Sequence, residues 1–171
     1  MKKLLILGAG GYGKTVADVA AQLGCYDKIS FLDDGQTGEN ILGKCDAYAK
    51  FVDGETDVYP AFGYHAYRMK WLELFLEKGY SVPTLIHPRA YVSPTAKIGT
   101  GTVVLPMAVV NTGVTVKEGC IINIGAMIDH DSIIEAGCHL APGAIVKAEN
   151  RICAGSKIES GIIIQNREYP L

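Results

Sequence analysis

Aliphatic side chains recur at every sixth position through the second half of this sequence. The series has no exception and no insertion, and runs through Ile86, Val92, Ile98, Val104, Val110, Val116, Ile122, Ile128, Ile134, Leu140, Val146, Ile152, Ile158 and Ile164. A six-residue unit repeated in this way is typical of a β-helix, in which each unit forms one short strand and one turn. The period therefore predicts a β-helix in this half of the chain.

Small residues and glycine occupy other positions of the repeated unit. The residue four places after the aliphatic one is usually small, as at Ala108 and Ala126. The third place is often glycine, from Gly101 to Gly161, and the chain has 20 glycines in 171 residues. Because glycine adopts the backbone angles that sharp corners require, these glycines indicate turns between the short strands.

The beginning of the chain follows a different pattern, in which apolar runs alternate with amphipathic segments. Strands are expected over residues 3–7, 29–32 and 58–62, and helices over residues 15–23 and 67–78. This order predicts a small β-α-β domain, about half of a dinucleotide-binding fold. The chain is therefore expected to consist of an α/β, Rossmann-like half domain at residues 1–84 and a β-helix domain at residues 85–171.

A glycine-rich loop joins the first predicted strand to the first predicted helix. Gly8, Gly10 and Gly13 form the pattern G-x-G-x-x-G, and backbone N–H groups at the start of a helix favour a phosphate. Asp33 and Asp34 end the second strand about 20 residues on, where an acid can bind a ribose hydroxyl. These features predict nucleotide binding; the alternative is a tight turn without a ligand. About 80 residues are too few for a complete NAD site.

His130 and Asp131 interrupt the repeat at one turn. His130 stands where neighbouring units carry Thr, Pro or Ala, and Asp131 stands where glycine is frequent. Departures from a regular repeat are expected where function resides. A histidine with a pKa near 6.5 accepts a proton at neutral pH, and a nearby carboxylate can orient its ring. We interpret His130 as a general base; the alternative is a solvated turn histidine.

Charge and cysteine content argue against several classes of protein. A net charge of −2 provides no basic surface for nucleic acid or for an acidic membrane. The five cysteines contain no CxxC pair and no close His/Cys spacing, which argues against a zinc site or a disulfide scaffold. The apolar run near the first residue is too short for a signal peptide or a membrane span. We expect a cytoplasmic protein without a metal.

Several segments resemble one known enzyme family. They are GAGGYGK, FLDD, AFGYHAYR, LIHPRAYVSPTAKIG and, within the repeats, IDHDS. From residue 2 to about residue 164 the chain resembles the bacterial nucleotide-sugar acetyltransferases, which include UDP-4-amino-sugar N-acetyltransferases and sialic-acid O-acetyltransferases. The resemblance implies a left-handed parallel β-helix, in which three units form a triangular coil of 18 residues. Residues 18 apart then stack about 4.8 Å apart along the axis.

The resemblance also implies roles for individual residues. His130 and Asp131 match a general base and its acidic partner, and Asn123 matches a position near the reacting group of the acceptor. His139 matches a residue at the acetyl end of acetyl-CoA, and the backbone N–H near Ala148 matches an oxyanion donor. The residues implied at the acceptor nucleotide sugar are Gly10, Gly11, Tyr12 and Gly13 by the phosphates or the sugar, Asp33 and Asp34 by the uridine, and Gly63 and Arg68 as lining residues.

The expected activity is direct transfer of an acetyl group from acetyl-CoA to an amino or hydroxyl group of a UDP-amino-sugar or related sugar, in surface glycan synthesis. In the resembling family acetyl-CoA lies between the β-helices of adjacent subunits, which implies a homotrimer. That family continues for further coils and ends with a loop over the CoA, whereas this repeat ends at Ile164. The alternative is a non-catalytic trimer that binds a nucleotide sugar and has lost its CoA site.

Overall fold

The computed structural model describes residues 2–171 and separates the chain into two compact units, Met1–Pro83 and Thr84–Leu171. The first unit contains a three-stranded parallel sheet in the order β2-β1-β3. Its elements are β1 (Lys3–Leu7), α1 (Gly11–Leu23), β2 (Lys28–Leu32), a 3-10 helix (Cys45–Lys50), β3 (Thr56–Pro60) and α2 (His65–Glu77). The alternation of strand and helix predicted from the sequence is therefore confirmed.

Element boundaries in this unit differ from the expected ones for local reasons. Helix α1 begins at Gly11 rather than at residue 15, because Gly10 is its N-cap and the glycine-rich loop leads directly into the helix. Strand β3 ends at Pro60, since a residue without an N–H group fits the last position of an edge strand. Both helices have 13 residues, and within residues 2–171 no helix is long and apolar enough to cross a membrane.

The apolar core of the first unit lies between its sheet and α2. Leu7, Leu32 and Val58, one from each strand, pack in one cluster with Leu72 and Phe75 of α2. All five side chains are fully buried, and burying one such side chain contributes about 1.5–3 kcal/mol. This packing fixes the carboxyl ends of the strands, where the glycine-rich loop begins.

The second unit is a parallel β-helix whose strands form three sheets, called face 1, face 2 and face 3. Face 1 contains β4 (Leu85–Ile86), β7 (Val103–Val104), β10 (Ile121–Ile122), β13 (His139–Leu140) and β16 (Lys157–Ile158). Face 2 contains β5 (Tyr91–Val92), β8 (Val109–Val110), β11 (Met127–Ile128), β14 (Ile145–Val146) and β17 (Ile163–Ile164). Face 3 contains β6 (Lys97–Ile98), β9 (Thr115–Val116), β12 (Ile133–Ile134) and β15 (Arg151–Ile152). Each strand ends at an aliphatic position of the repeat, so the predicted register is confirmed.

Paired strands in each face are 18 residues apart. Ile122 pairs with Leu140 on face 1, and Ile128 pairs with Val146 on face 2. These four side chains point inward and belong to one buried apolar cluster. Three six-residue units therefore make one coil, as the resemblance implied.

Small polar side chains inside the β-helix satisfy backbone carbonyls at the corners. Thr102 Oγ1 donates to the Lys117 carbonyl at 2.8 Å, and Cys120 Sγ donates to the Glu135 carbonyl at 3.1 Å. The two residues of each contact are 15 apart in sequence, slightly less than one coil of 18, so each bond joins one coil to the next near the same corner. Cys120 is buried and is not part of a disulfide among residues 2–171. A small side chain with a donor fits this column because a buried carbonyl without a partner is costly.

From Gly101 onward, the corners hold one residue of each unit in the left-handed conformation. Glycine occupies this place with φ values of 64–71° at Gly101, Gly113, Gly119, Gly125, Gly137, Gly143, Gly155 and Gly161. Four other residues also adopt it: Met107, Asp131, Glu149 and Arg167. The conformation costs a residue with a Cβ atom roughly 1–2 kcal/mol. Asp131, Glu149 and Arg167 occupy the same corner in successive coils, between face 2 and face 3. Glycine is therefore replaced most often at this corner.

Asn150 joins the last coils to the segment that follows them. Its Nδ2 donates to the carbonyls of Lys147 at 2.9 Å and Gln165 at 2.8 Å, and its Oδ1 accepts the Tyr169 N–H at 2.7 Å. The Asn150 side chain is fully buried. The Asn150 amide therefore helps to hold residues 165–169 against the preceding coil.

Candidate functional site

Two glycines of the loop in the first unit are required by packing. A Cβ atom on Gly13 would lie 1.9 Å from the Gly8 carbonyl oxygen, so only glycine lets α1 start this close to β1. Gly8 has a φ of 99°, and a Cβ there would lie 2.8 Å from the Ala61 carbonyl oxygen. These two positions are explained by the fold without a ligand.

Three other glycines have no such internal reason. A Cβ on Gly11 or Gly63 would meet nothing within 4 Å, and one on Gly10 only the end of the Gln36 side chain at 3.9 Å. All three line one open cavity of about 450 Å³, together with Gly8, Tyr12, Asp33, Gln36, Ala61, Phe62, Tyr64 and Tyr67. The first backbone N–H groups of α1 lie at this cavity. The space above these glycines is therefore available to an anionic ligand at a helix N-terminus.

Asp33 organises the loop around this cavity. Its Oδ2 accepts the Ala9 N–H at 2.7 Å, and its Oδ1 accepts the N–H groups of Gly35 at 2.9 Å and Gln36 at 2.8 Å. These bonds, that from Ala9 foremost, lower the pKa of the Asp33 carboxyl. Asp34 is directed elsewhere, because its Oδ1 accepts the Cys45 N–H at 2.9 Å. Asp33 thus ties the glycine-rich loop to the turn after β2.

Arg68 lies beneath the loop that carries Gly63. Its guanidinium is fully buried, and Nη1 donates to the carbonyls of Phe62 at 2.7 Å and Gly63 at 3.0 Å. Arg68 is not among the residues that line the cavity. Its hydrogen bonds instead support the loop that does line it.

Sequence reasoning missed the aromatic wall of this cavity. Tyr64 is 71% exposed and Tyr67 is 38% exposed. The Phe62 and Tyr67 rings meet edge to face, with centroids 4.6 Å apart. The signal available was the segment AFGYHAYR, which places aromatic residues around a glycine immediately after a strand. Such rings offer a flat apolar surface beside the glycine-rich loop.

His130 and Asp131 lie together at the corner between β11 and β12. His130 Nδ1 and Asp131 Oδ2 are 2.9 Å apart. Because a carboxylate only accepts hydrogen bonds, the ring proton of neutral His130 lies on Nδ1 and the lone pair on Nε2. The His130 side chain is 48% exposed. The predicted base and its acidic partner are therefore in contact.

Charges around His130 favour its protonated form. The hydrogen bond to Asp131 is the main cause that raises the pKa of His130, and burial opposes it. Asp129, Asp131 and Glu149 raise this pKa further through their charges. Asp129 Oδ1 accepts the His130 N–H at 2.8 Å and the Asn111 Nδ2–H at 3.0 Å, and the pKa of Asp129 is lowered as a result.

A side chain one coil before Asp131 would crowd its carboxylate. Gly113 holds the same corner one coil earlier, and a Cβ atom there would lie 2.4 Å from Asp131 Oδ1. Gly125 has a similar φ of 64°, but a Cβ on it would meet nothing within 4 Å. The absence of a side chain at Gly113 thus leaves space for the Asp131 carboxylate that is hydrogen-bonded to His130.

Ala148 lies one coil after His130, at the same corner. The residue is 3% exposed. Its carbonyl accepts the Arg167 N–H at 3.3 Å. Its own N–H has no hydrogen-bond acceptor among residues 2–171, whereas the N–H of His130 in the equivalent place is bonded to Asp129. Ala148 therefore offers a backbone donor beside the histidine.

Asn123 and His139 form a second polar pair, on face 1. Asn123 Nδ2 donates to His139 Nε2 at 3.1 Å, and Asn123 Oδ1 accepts the Ile124 N–H at 2.8 Å. In a three-sided coil the corner between faces 2 and 3 lies opposite face 1. The structure therefore brings His130, Asp131 and Ala148 together and Asn123 and His139 together, but it separates the two groups within one chain.

Among residues 2–171 no three His, Cys, Asp or Glu side chains are grouped as metal ligands.

Comparison with known proteins identifies similar chains. The family model of the PglD N-terminal domain matches residues 3–75. The acetyltransferase domain of PglB from Neisseria gonorrhoeae FA1090 is 38% identical, with a TM-score of 0.95, over 98% of this chain and 84% of that chain. The same domain in complex with acetyl coenzyme A is 38% identical over 97% of this chain and 83% of that one, with a TM-score of 0.94.

More distant structures share the fold. PerB from Caulobacter crescentus, in complex with CoA and GDP-perosamine, is 20% identical over 96% of this chain and 92% of that chain, with a TM-score of 0.68. WeeI from Acinetobacter baumannii AYE is 19% identical over 99% of this chain and 94% of that chain, with a TM-score of 0.75. With the PglB domain they confirm the predicted fold, a Rossmann-like half domain followed by a left-handed β-helix.

Proposed function

The chain belongs to the hexapeptide-repeat family of bacterial sugar acetyltransferases, and from that premise we propose that it transfers an acetyl group from acetyl-CoA to a nucleotide-linked amino sugar or related sugar. The observation that carries this proposal is the contact between His130 Nδ1 and Asp131 Oδ2 at a corner of the β-helix. The PglB domain, a 38% identical relative, binds acetyl coenzyme A. We place the reaction in the cytoplasm and in surface glycan synthesis.

The chemistry follows from the orientation of His130. The amino or hydroxyl group of the acceptor attacks the thioester carbonyl carbon and gives its proton to His130 Nε2. Asp131 accepts the hydrogen bond from Nδ1–H and stabilises the imidazolium that forms. The Ala148 N–H donates to the oxygen that becomes negative in the tetrahedral intermediate. When the intermediate collapses, the C–S bond breaks and the CoA thiolate takes the proton back from His130.

The acceptor is assigned to the first unit. We propose that its diphosphate lies on the N–H groups of Gly10, Gly11 and Tyr12, where three glycines leave the cavity open. The nucleoside lies against the turn that begins at Asp33. UDP is the proposed nucleotide. Tyr64 and Tyr67 supply apolar surface to the sugar or the base.

A homotrimer would bring the two polar groups of the β-helix together. Asn123 and His139 of one copy face His130 of the next, because the two groups lie on opposite sides of a single β-helix. An apolar column on face 2, next to the His130 corner, supports such contact: Tyr91 is 55%, Met127 43% and Ile163 45% exposed. Exposed apolar surface of this kind is typical of an interface between subunits.

The substrate test uses a panel of nucleotide sugars with free amino or hydroxyl groups. Release of CoA thiol is measured with each sugar, and binding of acetyl-CoA is measured by calorimetry. The proposal expects turnover with a UDP-amino-sugar and its loss in Gly11→Leu, whose side chain would fill the cavity. Gly54→Leu, at a glycine of the same unit where a Cβ would also meet nothing within 4 Å and which does not line the cavity, is the matched control for loss of a glycine. The alternative, a non-catalytic binding protein, expects no turnover and no binding of acetyl-CoA.

A further inference from the structure

One corner of the β-helix carries side chains where the other corners carry glycine. Gly113, Asp131, Glu149 and Arg167 follow one another at the corner between faces 2 and 3, one in each coil, and are called the corner column. Their φ values are 70°, 57°, 58° and 53°. A residue with a Cβ atom is strained in this conformation. Three successive departures at the corner of His130 indicate a role for the side chains rather than for the turn.

The corner column is bonded from coil to coil. The Glu149 N–H donates to the His130 carbonyl at 3.1 Å, the bond that other corners also make between successive coils, and it joins the turn of Glu149 to the turn of His130. Arg167 Nε donates to Glu149 Oε2, and the Arg167 N–H donates to the Ala148 carbonyl at 3.3 Å. The turn that holds His130, the turn that holds Ala148 and the last turn of the repeat are thus linked in series.

We propose that Glu149 and Arg167 are positioning residues for His130. Glu149 is a second carboxylate that stabilises the imidazolium formed during acetyl transfer, and Arg167 holds Glu149 and limits the negative charge that reaches the ring. The inference rests on the proposed function, in which His130 takes the proton of the acceptor. The residues that act on His130 would then include Arg167 in the last coil of the β-helix.

Several charged groups surround His130, and the corner column supplies carboxylates and one cation among them. Asp129 and Asp131 lie on the histidine's own turn, and Glu149 lies on the next. Lys147 lies one coil after Asp129, with its Nζ donating to Gln165 Oε1 at 2.6 Å. Arg167 is therefore the cation that pairs with the carboxylate nearest to His130 on the following coil. The hydrogen bond from Arg167 is the main cause that lowers the pKa of Glu149, and the charge of Arg167 lowers it further, which favours the ionised carboxylate beside His130.

The helix contains a matched ion pair at another corner. Arg151, the first residue of β15 on face 3, donates through Nε to Glu135 Oε1 at 2.8 Å, and Glu135 follows β12 at the end of face 3 that is away from the His130 corner. Glu135→Gln and Arg151→Gln make the same chemical changes as Glu149→Gln and Arg167→Gln, away from His130. Any effect of losing a surface ion pair on stability is therefore present in both pairs of variants.

The test measures the titration of the His130 ring by NMR in the full chain, together with the pH dependence of kcat/KM. Glu149→Gln removes a negative charge, so the pKa of His130 falls and the acidic limb of the profile moves to lower pH. The optimal kcat/KM falls by about 2- to 5-fold, as expected for a charge screened by solvent. Arg167→Gln moves the titration and the limb in the opposite direction. Glu149→Asp, which keeps the charge, restores most of the wild-type profile.

Opposite shifts in the two variants, with no shift in Glu135→Gln or Arg151→Gln, support the proposal. Unchanged titration of His130 in Glu149→Gln and Arg167→Gln, or shifts of equal sign, overturn it. Shifts of the same size in the control pair also overturn it. Failure of the proposed function gives a different result, because the NMR titration reads the charge on His130 even if His130→Ala keeps full activity.

Discussion

The separation of His130 from the Asn123–His139 pair leads to a prediction about mixed assemblies. One variant carries His130→Ala, and a second carries Asn123→Ala with His139→Ala. The two groups lie at a corner and on the opposite face of a single β-helix. If each site takes its base from one copy and its Asn–His pair from the next, every trimer that contains both variants has one intact site.

The expected activity follows from counting. Random mixing of equal amounts makes about three quarters of the trimers mixed, and one site in three is intact in each of them. Coexpressed variants with different tags should therefore show about a quarter of the wild-type activity. The assay is CoA thiol release by the purified mixture, compared with the sum of the two variants alone.

Two outcomes would exclude a site shared between neighbouring copies. Activity of the mixture equal to the sum of the separate variants means that the groups act within one chain or not at all. Full activity of the Asn123/His139 variant alone means that this pair does not belong to the site. A mixture of His130→Ala with His130→Asn is the control, and we expect no recovery there because neither copy supplies a base.

Other predictions concern the same corner and the end of the helix. Asp131→Asn removes the main cause that raises the pKa of His130, so the acidic limb of kcat/KM should move to lower pH while kcat falls. Gly113→Ala should lower both thermal stability and kcat, because its Cβ meets Asp131 at 2.4 Å; Gly125→Ala, which has free space, should lower stability by only about 1–2 kcal/mol and keep activity. Asn150→Ala should destabilise the protein by about 2–4 kcal/mol in thermal or denaturant unfolding, since several buried backbone groups lose their partner; an unfolding midpoint equal to wild type would contradict that role.

The β-helix could be read from the sequence because its repeat has a fixed period and no insertions. The strand ends and the glycine corners follow once the aliphatic series is in register, and His130 and Asp131 then stand out as exceptions. The column of Asp131, Glu149 and Arg167 was open to the same reading, since all three replace glycine at intervals of 18 residues. It was missed because each exception was considered inside its own unit rather than along the axis.

The first unit was less predictable in its details. The glycine pattern placed the cavity, but only packing distinguishes Gly13, which the fold requires, from Gly11, which it does not. Asp33 accepts the N–H of Ala9, a residue of another loop 24 positions away. Such a partner depends on how the loops meet in space, and no local pattern in the sequence specifies it.

If the His130 corner transfers an acetyl group from acetyl-CoA to a nucleotide sugar, loss of the imidazole should slow product formation without weakening binding of the donor. Mass-spectrometric detection of the acetylated nucleotide sugar formed by wild type and by His130→Ala, with acetyl-CoA binding measured in both, tests this directly. We expect equal amounts of acetylated sugar and CoA from wild type, and a rate lower by about 10²–10⁴-fold in the variant with binding unchanged. Product formation by His130→Ala at the wild-type rate would show that His130 is not the base.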